Sequence, residues 1–262
     1  MNTASFSLID SHCHPHFPPL GDDRQAVLTT MREHEVSAAL AVATTHMEME
    51  AVRGLAKQYP GIFYAACGVH PLSNDTEDDS EAALVQACGG DVLAVGETGL
   101  DFFRGQETEA MQRRRFAAHI AAARKLQKPL IIHTRDSQDA VLDMLRAENA
   151  RDVGGVLHCF TGDAKQARAG LDINFVVSFS GIVTFKKSIA MRDVARLMPA
   201  DGYLVETDSP YLAPVPYRGK TNTPAYVRYV AETIATVRGQ TLAQTAAETS
   251  ATFNRIFKKS VD

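Results

Sequence analysis

Eight short, nearly continuous apolar runs alternate with longer segments of helical periodicity, and this alternation restricts the fold of the chain more than any other feature. The runs are "FSLIDSH" (6–12), "SAALAVATT" (37–45), "IFYAACGVH" (62–70), "VLAVGETGLD" (92–101), "PLIIHT" (129–134), "GGVLHCF" (154–160), "NFVVSFSG" (174–181) and "GYLVETDSP" (202–210). Strands that alternate with helices form parallel sheets, and parallel strands covered on both faces read as unbroken apolar runs. An open doubly wound sheet would carry a G-x-G-x-x-G turn after its first strand, and none is present. Eight units predict an α/β fold, a single closed (β/α)8 barrel of the TIM type over residues 1–262.

With 262 residues the chain has room for one such barrel and no second domain. Its longest polar stretch, "SNDTEDDSE" at 73–81, is short enough to be a surface loop. The opening "MNTASFSLID" lacks a basic segment followed by an apolar one, and no run approaches the roughly 20 apolar residues of a membrane span. The expectation is a cytoplasmic, monomeric protein with no membrane partner. Cys13, Cys67, Cys88 and Cys159 are too scattered for a zinc ribbon or a disulfide framework. A net charge of −4 argues against a chain that grips nucleic acid over its whole surface but leaves room for a local basic site. The adjoining cations Arg113, Arg114 and Arg115, Arg124 with Lys125, and Lys186 with Lys187 read as solvated helix faces. In the helical segment 107–127, closed by Pro129, Met111, Arg115, Ala118 and Ala122 share one side and Phe116, Ile120 and Ala123 another. His119 in that segment, like His34 and His46, reads as a surface or packing histidine.

The chemistry gathers where the strands stop, which in such a barrel is the catalytic face. Run one stops at His12 and His14, run three at His70, run four at Glu97 and Asp101, run five at His133, run six at His158, and run eight at Glu206 and Asp208. Counting His16, six of the nine histidines lie at or just past these ends, where a random scatter would leave most of them elsewhere. Side chains two apart on a strand share a face, so His12 and His14 point together, toward the barrel axis if Asp10 does too. With His133, His158, Glu97 and Asp208 the axis carries four neutral nitrogen donors and two carboxylates. A catalytic ion keeps one position open, so six ligands suit two divalent cations better than one. Glu97, on the middle strand of the set, is the natural bridge because each of its oxygens can hold one ion. Imidazole-rich ligation suits zinc or manganese, and carboxylates with a phosphate substrate admit magnesium. His16 follows Pro15 into the loop and is read as lining the mouth only.

Together and in this order, "IDSHCHPHF", "GVHP", "VGETGLDFF", "IIHTRDS", "LHCFTGD", "SFSGIVTFKK" and "VETDSPYLAP" resemble the TatD family of metal-dependent hydrolases and deoxyribonucleases over nearly the whole chain. The resemblance implies a first metal site of His12, His14, Glu97 and Asp208 and a second completed by His133 and His158, the same set reached from the strand ends. It also sets aside a carboxylated-lysine bridge, because the fourth strand offers Glu97 and no lysine. One position departs from the family pattern. In "RGKTNTPAYV", Thr223 stands where the family commonly has a glutamate, so no contact of that glutamate is carried over.

Two divalent cations roughly 3.5–4 Å apart lower the pKa of bound water toward ~7, so no serine or cysteine nucleophile is required. The catalytic candidates are Asp208, to accept the proton of the attacking water, Glu97 as bridge, and His70, to donate to a non-bridging phosphate oxygen. The resemblance implies the same role for His70. Arg135, Arg104, Arg218 and Lys220 are candidate phosphate contacts, Phe102 and Phe103 candidate base stackers, and Asp10 and Glu206 candidate orienters of the ligands. The expected activity is hydrolysis of DNA phosphodiesters by a 3'-5' exonuclease acting on single-stranded ends, since a deep site on an acidic chain suits a strand terminus better than a duplex groove. The alternative is a hydrolase of a small amide, ester or phosphoester using the same metals. A metal-binding protein without turnover is the weakest reading.

Overall fold

The computed structural model describes residues 6–74 and 78–257. The first five residues and the centre of the expected 73–81 loop lie outside them. Eight strands form the sheet: β1 (Leu8–Cys13), β2 (Val36–Val42), β3 (Phe63–Cys67), β4 (Ala94–Asp101), β5 (Leu130–Arg135), β6 (Gly155–Leu157), β7 (Phe175–Phe179) and β8 (Tyr203–Val205). They pair in sequence order, all parallel. A bridge between Cys13 and Ser209 joins the two edges, supported by His14 N–H to Ser209 O at 2.7 Å and Asp208 N–H to His12 O at 2.9 Å. The expected (β/α)8 barrel is therefore the fold.

The helices are α1 (Arg24–Glu33), α2 (His46–Gln58), α3 (Glu81–Ala87), α4 (Glu109–Leu126), α5 (Gln138–Ala147), α6 (Ala164–Leu171), α7 (Ile189–Leu197), α8 (Val227–Arg238) and α9 (Leu242–Phe257). None of them is long and apolar enough to cross a membrane. All four cysteines are free thiols. Lys186 and Lys187 precede α7 and lie on a loop instead of a helix face.

Two apolar layers position the site. Ile9, Leu40, Val42, Ile131, Val156, Val176 and Leu204 fill the barrel axis together with the small Ala38, Ala66 and Ala94, and Phe253, Ile256 and Phe257 of α9 pack against them. Eight strands converging on one axis leave room for few large side chains, which is why alanines recur there. Truncating Phe253, which is fully buried, to alanine would cost about 3–5 kcal/mol. Outward-facing residues such as Leu8, Phe63, Leu130, Phe175 and Tyr203 pack under the helices in the larger cluster.

Alternation is regular in β5, β6 and β8: Ile131, Val156 and Leu204 belong to the axial cluster, and two residues further on come His133, His158 and Glu206. In β1 and β4 it breaks. Ile9 is axial and Cys13 outer although an even spacing separates them, and the register against β2 shifts between Asp10 and Cys13. Ala94 is axial and Leu100 outer, with a register shift against β5 between Val95 and Thr98. Such bulges re-aim side chains next to functional sites. His12, His14 and Glu97 thus reach the axis through local irregularity, which corrects the expectation of an unbroken two-residue period from Asp10. Gly99 permits the close approach that follows: its φ is +143°, and a Cβ there would sit 2.1 Å from His133 O.

Candidate metal centre

Glu97 stands at the centre of the C-terminal mouth, buried, with its two oxygens turned to different histidines. Oε2 lies 3.3 Å from His12 Nε2 and 3.9 Å from His14 Nε2. Oε1 lies 2.8 Å from His158 Nε2, 2.9 Å from His133 Nδ1 and 3.6 Å from His70 Nε2. Asp208 closes the first group, its Oδ1 3.4 Å from His14 Nε2 and 3.8 Å from His12 Nε2. The structure thus brings all six expected ligands together. Among the described residues, potential ligand atoms fall within 4.8 Å of one another in three sets: His12, His14 and Glu97; His70, Glu97 and His133; and His12, His158 and Glu206.

The partners of the outward-facing ring nitrogens decide which nitrogens can serve a cation. His14 Nδ1 donates to Val42 O at 2.7 Å, His133 Nε2 meets Asp101 Oδ2 at 3.2 Å, and His158 Nδ1 meets Glu206 Oε1 at 3.3 Å. Each acceptor holds one proton on the outer nitrogen, so that the inner nitrogen, once it gives up its own proton, turns a lone pair toward the carboxylates, the usual arrangement of a metal-binding imidazole. His70 is wired the other way. Its Nδ1 accepts the Leu72 N–H at 3.1 Å, so the neutral ring carries its proton on Nε2, which faces His133 Nδ1 at 3.3 Å on the cavity lining. His12 Nε2 and His14 Nε2 face each other at 3.3 Å, while buried His12 Nδ1 has no hydrogen-bond partner. Facing nitrogens beside two carboxylates are a donor set that divalent cations satisfy, so the residues fit the metal that the fold family implies.

Electrostatics point the same way. Burial alone would raise the Glu97 carboxyl, but His158, His12 and His133 hold it well below the usual carboxylate range. Burial opposes charge on the histidines too, yet Glu97 and Glu206 push His158 well up, Asp101 and Glu97 raise His133, and Asp208 and Glu97 raise His14. Burial lowers His12, helped by the neighbouring His158. It takes His70 down to about 4, so that ring is neutral at pH 7.

Above this floor opens a cavity of about 770 Å³, walled by Phe17, Leu72, Arg104, Arg135, Ile182 and Tyr211 among others, a volume in the range of small-molecule sites. Arg104 and Arg135 line it as expected, and Arg135 rests over the exposed Phe103 ring at 4.1 Å. Arg218 does not line it. Its guanidinium lies over Phe185 at 3.8 Å, further out along the rim. Lys220 sits beside Tyr217, 5.6 Å from the ring. Phe102 packs against the core beneath Arg113, so of the two candidate stackers only Phe103 keeps an exposed ring, which has Arg135 over one face and lies outside the cavity lining. His16 is turned toward Glu48 at 3.4 Å and is not among the lining residues. Glu206 orients His158 as expected, whereas Asp10 touches no imidazole: it accepts from Thr207 N–H (2.9 Å), Thr207 O–H (2.6 Å) and His12 N–H (3.3 Å), fixing the two chain segments that carry Asp208 and His12. Thr223 lies outside the cavity lining, behind Asn222, whose amide donates to Thr207 O and Tyr211 O.

Helix α4 supplies positioning that the sequence reading missed. Gln112, Arg115 and His119 are all buried, a polar stripe at spacings of three and four residues. Gln112 grips Asp101, accepting its N–H at 2.8 Å and donating to its carbonyl at 3.1 Å. Arg115, expected to be solvated, donates to His70 O at 3.2 Å and Ser73 O at 3.0 Å and pairs with Asp79. His119 is a packing histidine, fully buried: Nε2 accepts the Val69 N–H at 3.0 Å and Nδ1 donates to Arg115 O at 2.8 Å. Polar residues at helical spacing beside the apolar Phe116 and Ile120 were the available signal.

A family model described as TatD related DNase matches residues 9–258. An uncharacterized metal-dependent hydrolase of Escherichia coli K12, YcfH, is 45% identical over 253 residues, covering 95% of each chain. A 3'-5' ssDNA/RNA exonuclease TatD of Cronobacter sakazakii is 33% identical over 245 residues, 90% of this chain and 92% of that protein. Among solved structures, the TatD homologue YjjV of Escherichia coli K12 superposes with a TM-score of 0.90 at 28% identity, covering 97% of this chain and 98% of the other.

Proposed function

The chain belongs to the TatD family of metal-dependent hydrolases, and from that premise we propose that it is a two-metal nuclease, a monomeric cytoplasmic single-domain enzyme removing nucleotides from the ends of single-stranded DNA in the 3'-5' direction. The observation that carries this reading is the division of Glu97, one oxygen toward His12 and His14, the other toward His133 and His158. One divalent cation, Mg²⁺, Mn²⁺ or Zn²⁺, would be held by His12, His14, Asp208 and Glu97, the other by Glu97, His133 and His158. Bound there, the cations would supply Lewis-acid polarisation of the phosphoryl group and acidify water.

The chain's own residues supply the rest. Asp208, the most open of the central carboxylates at 18% side-chain exposure, is placed to accept the proton of the attacking water. His70 donates its Nε2 proton to a non-bridging oxygen and strengthens that bond as charge develops there. Arg104 and Arg135 stand on the wall, where they can pair with phosphate. The single-strand 3'-5' preference draws on the activity for which the Cronobacter relative is named.

Purified protein incubated with a labelled single-stranded oligonucleotide and Mg²⁺, Mn²⁺ or Zn²⁺ tests the reading, with His12→Ala/His14→Ala as control. Metal-dependent release of nucleotides from one end by the wild type, absent in the control, is the expected result. No release with any of the three metals would move the assignment to a small amide, ester or phosphoester substrate.

A further inference from the structure

Beyond the cavity, the loops after β7 and β8 form one continuous wall. Val215 N–H donates to Thr184 Oγ1 at 2.9 Å, and the loops touch so closely at Gly181 that a Cβ there would lie 2.0 Å from Leu212 O. The inner end of the wall, Ile182, Tyr211 and Leu212, lines the cavity. Its outer end carries cations: the Arg218 guanidinium on the Phe185 ring, Lys186 and Lys187 directly after that ring, and Lys220 beside Tyr217. Arg192 of α7 fixes this segment by donating to the carbonyls of Val183, Phe185 and Lys186.

These cations differ from those on the helices next to them. Arg192 is committed to backbone carbonyls, Arg196 to Asp193, Arg228 to Glu35 and Glu232, and Arg238 to Glu248. Among the described residues, Lys186, Lys187, Arg218 and Lys220 enter no ion pair. All four are exposed, on a protein whose net charge is −4. At the junction of cavity and cationic wall stands Tyr211, 56% exposed. Exposed positive charge without an ion pair, on two joined loops whose inner end lines the cavity and carries an open aromatic ring, is the pattern of a single-stranded nucleic-acid groove.

We propose that the β7–β8 wall is a track for the single strand behind the nucleotide being removed, with Tyr211 stacking a base and Lys186, Lys187, Arg218 and Lys220 meeting successive phosphates. This rests on the nuclease reading and deepens it, since it makes the enzyme sense strand length beyond the scissile bond. A substrate that fills only the cavity gains nothing from the wall.

The test compares a labelled single-stranded oligonucleotide long enough to cross the wall with bis(p-nitrophenyl) phosphate, a diester confined to the cavity, at fixed divalent cation and varied monovalent salt. Each lost phosphate contact flattens the slope of log(kcat/KM) against log[salt] by about 0.7 on a single strand. Lys186→Gln/Lys187→Gln should therefore flatten the oligonucleotide slope by about 1.4, and the addition of Arg218→Gln and Lys220→Gln by about 2.8 in all. Tyr211→Ala should raise the oligonucleotide KM about 10-fold. Turnover of the small diester by the lysine pair stays at the wild-type value, which also reports that this variant is folded. Oligonucleotide slopes and KM unchanged in every variant, with the wild type degrading the strand, would overturn the track and leave the nuclease. A wild type that cleaves the small diester but no oligonucleotide would overturn the nuclease reading, and the track with it.

Discussion

His119 is the point at which acid should loosen the frame of the site, and the size of the effect can be worked out. Both ring nitrogens are committed, Nδ1–H to Arg115 O and Nε2 as acceptor of the Val69 N–H, so a second proton can enter only by breaking the bond to Val69, next to His70. Burial pushes the ring down to about 4 from the ordinary 6.5. Between those values the unfolded chain binds a proton that the native chain refuses, so stability falls as pH drops. The contribution is complete above pH 6.5, is lost progressively down to about 4, and amounts to about 3 kcal/mol at 1.36 kcal/mol per pKa unit. In His119→Gln this titration is gone. Urea unfolding followed by far-UV circular dichroism, with chelator present throughout, should show the stability difference between wild type and variant shrinking by about 3 kcal/mol from pH 7 to pH 4. His70, also depressed to about 4, titrates in both proteins and cancels. A difference that stays constant across the window would refute the reasoning, because it would mean that His119 accepts a proton in the folded state at no cost.

His70→Ala should lower kcat on a phosphodiester by about 10²–10³-fold while bound metal, read by elemental analysis, is unchanged; His70→Gln, which keeps an N–H donor, should recover part of the loss. Asp101→Asn and Glu206→Gln, which loosen His133 and His158, should each weaken metal affinity about 10–100-fold in chelator competition. Saturating the wild type with divalent cation at 100 times its Kd should add about 2.7 kcal/mol of stability, a gain visible as a rise in Tm that Glu97→Gln abolishes.

Strand number and the set of side chains that meet at the mouth could be read from the sequence because each is written in consecutive residues: apolar runs buried on both faces, with polar side chains where those runs stop. The bulges could not. They arise from how β1 meets β2 and β4 meets β5, a pairing between distant segments that Gly96 and Gly99 permit but do not specify. Arg113, Arg114 and Arg115 are identical in composition, yet only Arg115 is buried, because it alone turns toward the His70 carbonyl. The long segment after β8 hid the place of Arg218, since the path of a loop without periodicity follows from what it packs on, here Thr184 and Phe185. The role of Asp101 stayed open for a related reason. Position at a strand end marks a residue as near the site, whereas only the geometry tells a ligand from the partner of a ligand.

The carboxylates and imidazoles gathered at the centre also pose a charge problem whose solution can be measured. Glu97, Asp208, Asp101 and Glu206 all lie against His12, His14, His133 or His158, and buried carboxylates facing only neutral imidazoles would be costly. Protons relieve this, which is why His14, His133 and His158 are raised. A divalent cation needs the lone pairs those protons occupy, so binding must expel them. With raised pKa values the rings hold their protons on the acid side of the shifted values and lose them above, so proton release is large near pH 6.5 and declines as pH rises, while the apparent metal affinity climbs over the same interval. Titration calorimetry of Mn²⁺ or Zn²⁺ in two buffers of different ionisation enthalpy measures the released protons directly. Heats identical in both buffers, with an affinity flat in pH, would mean that the histidines present bare lone pairs before any ion arrives, and that something other than these protons balances the carboxylates.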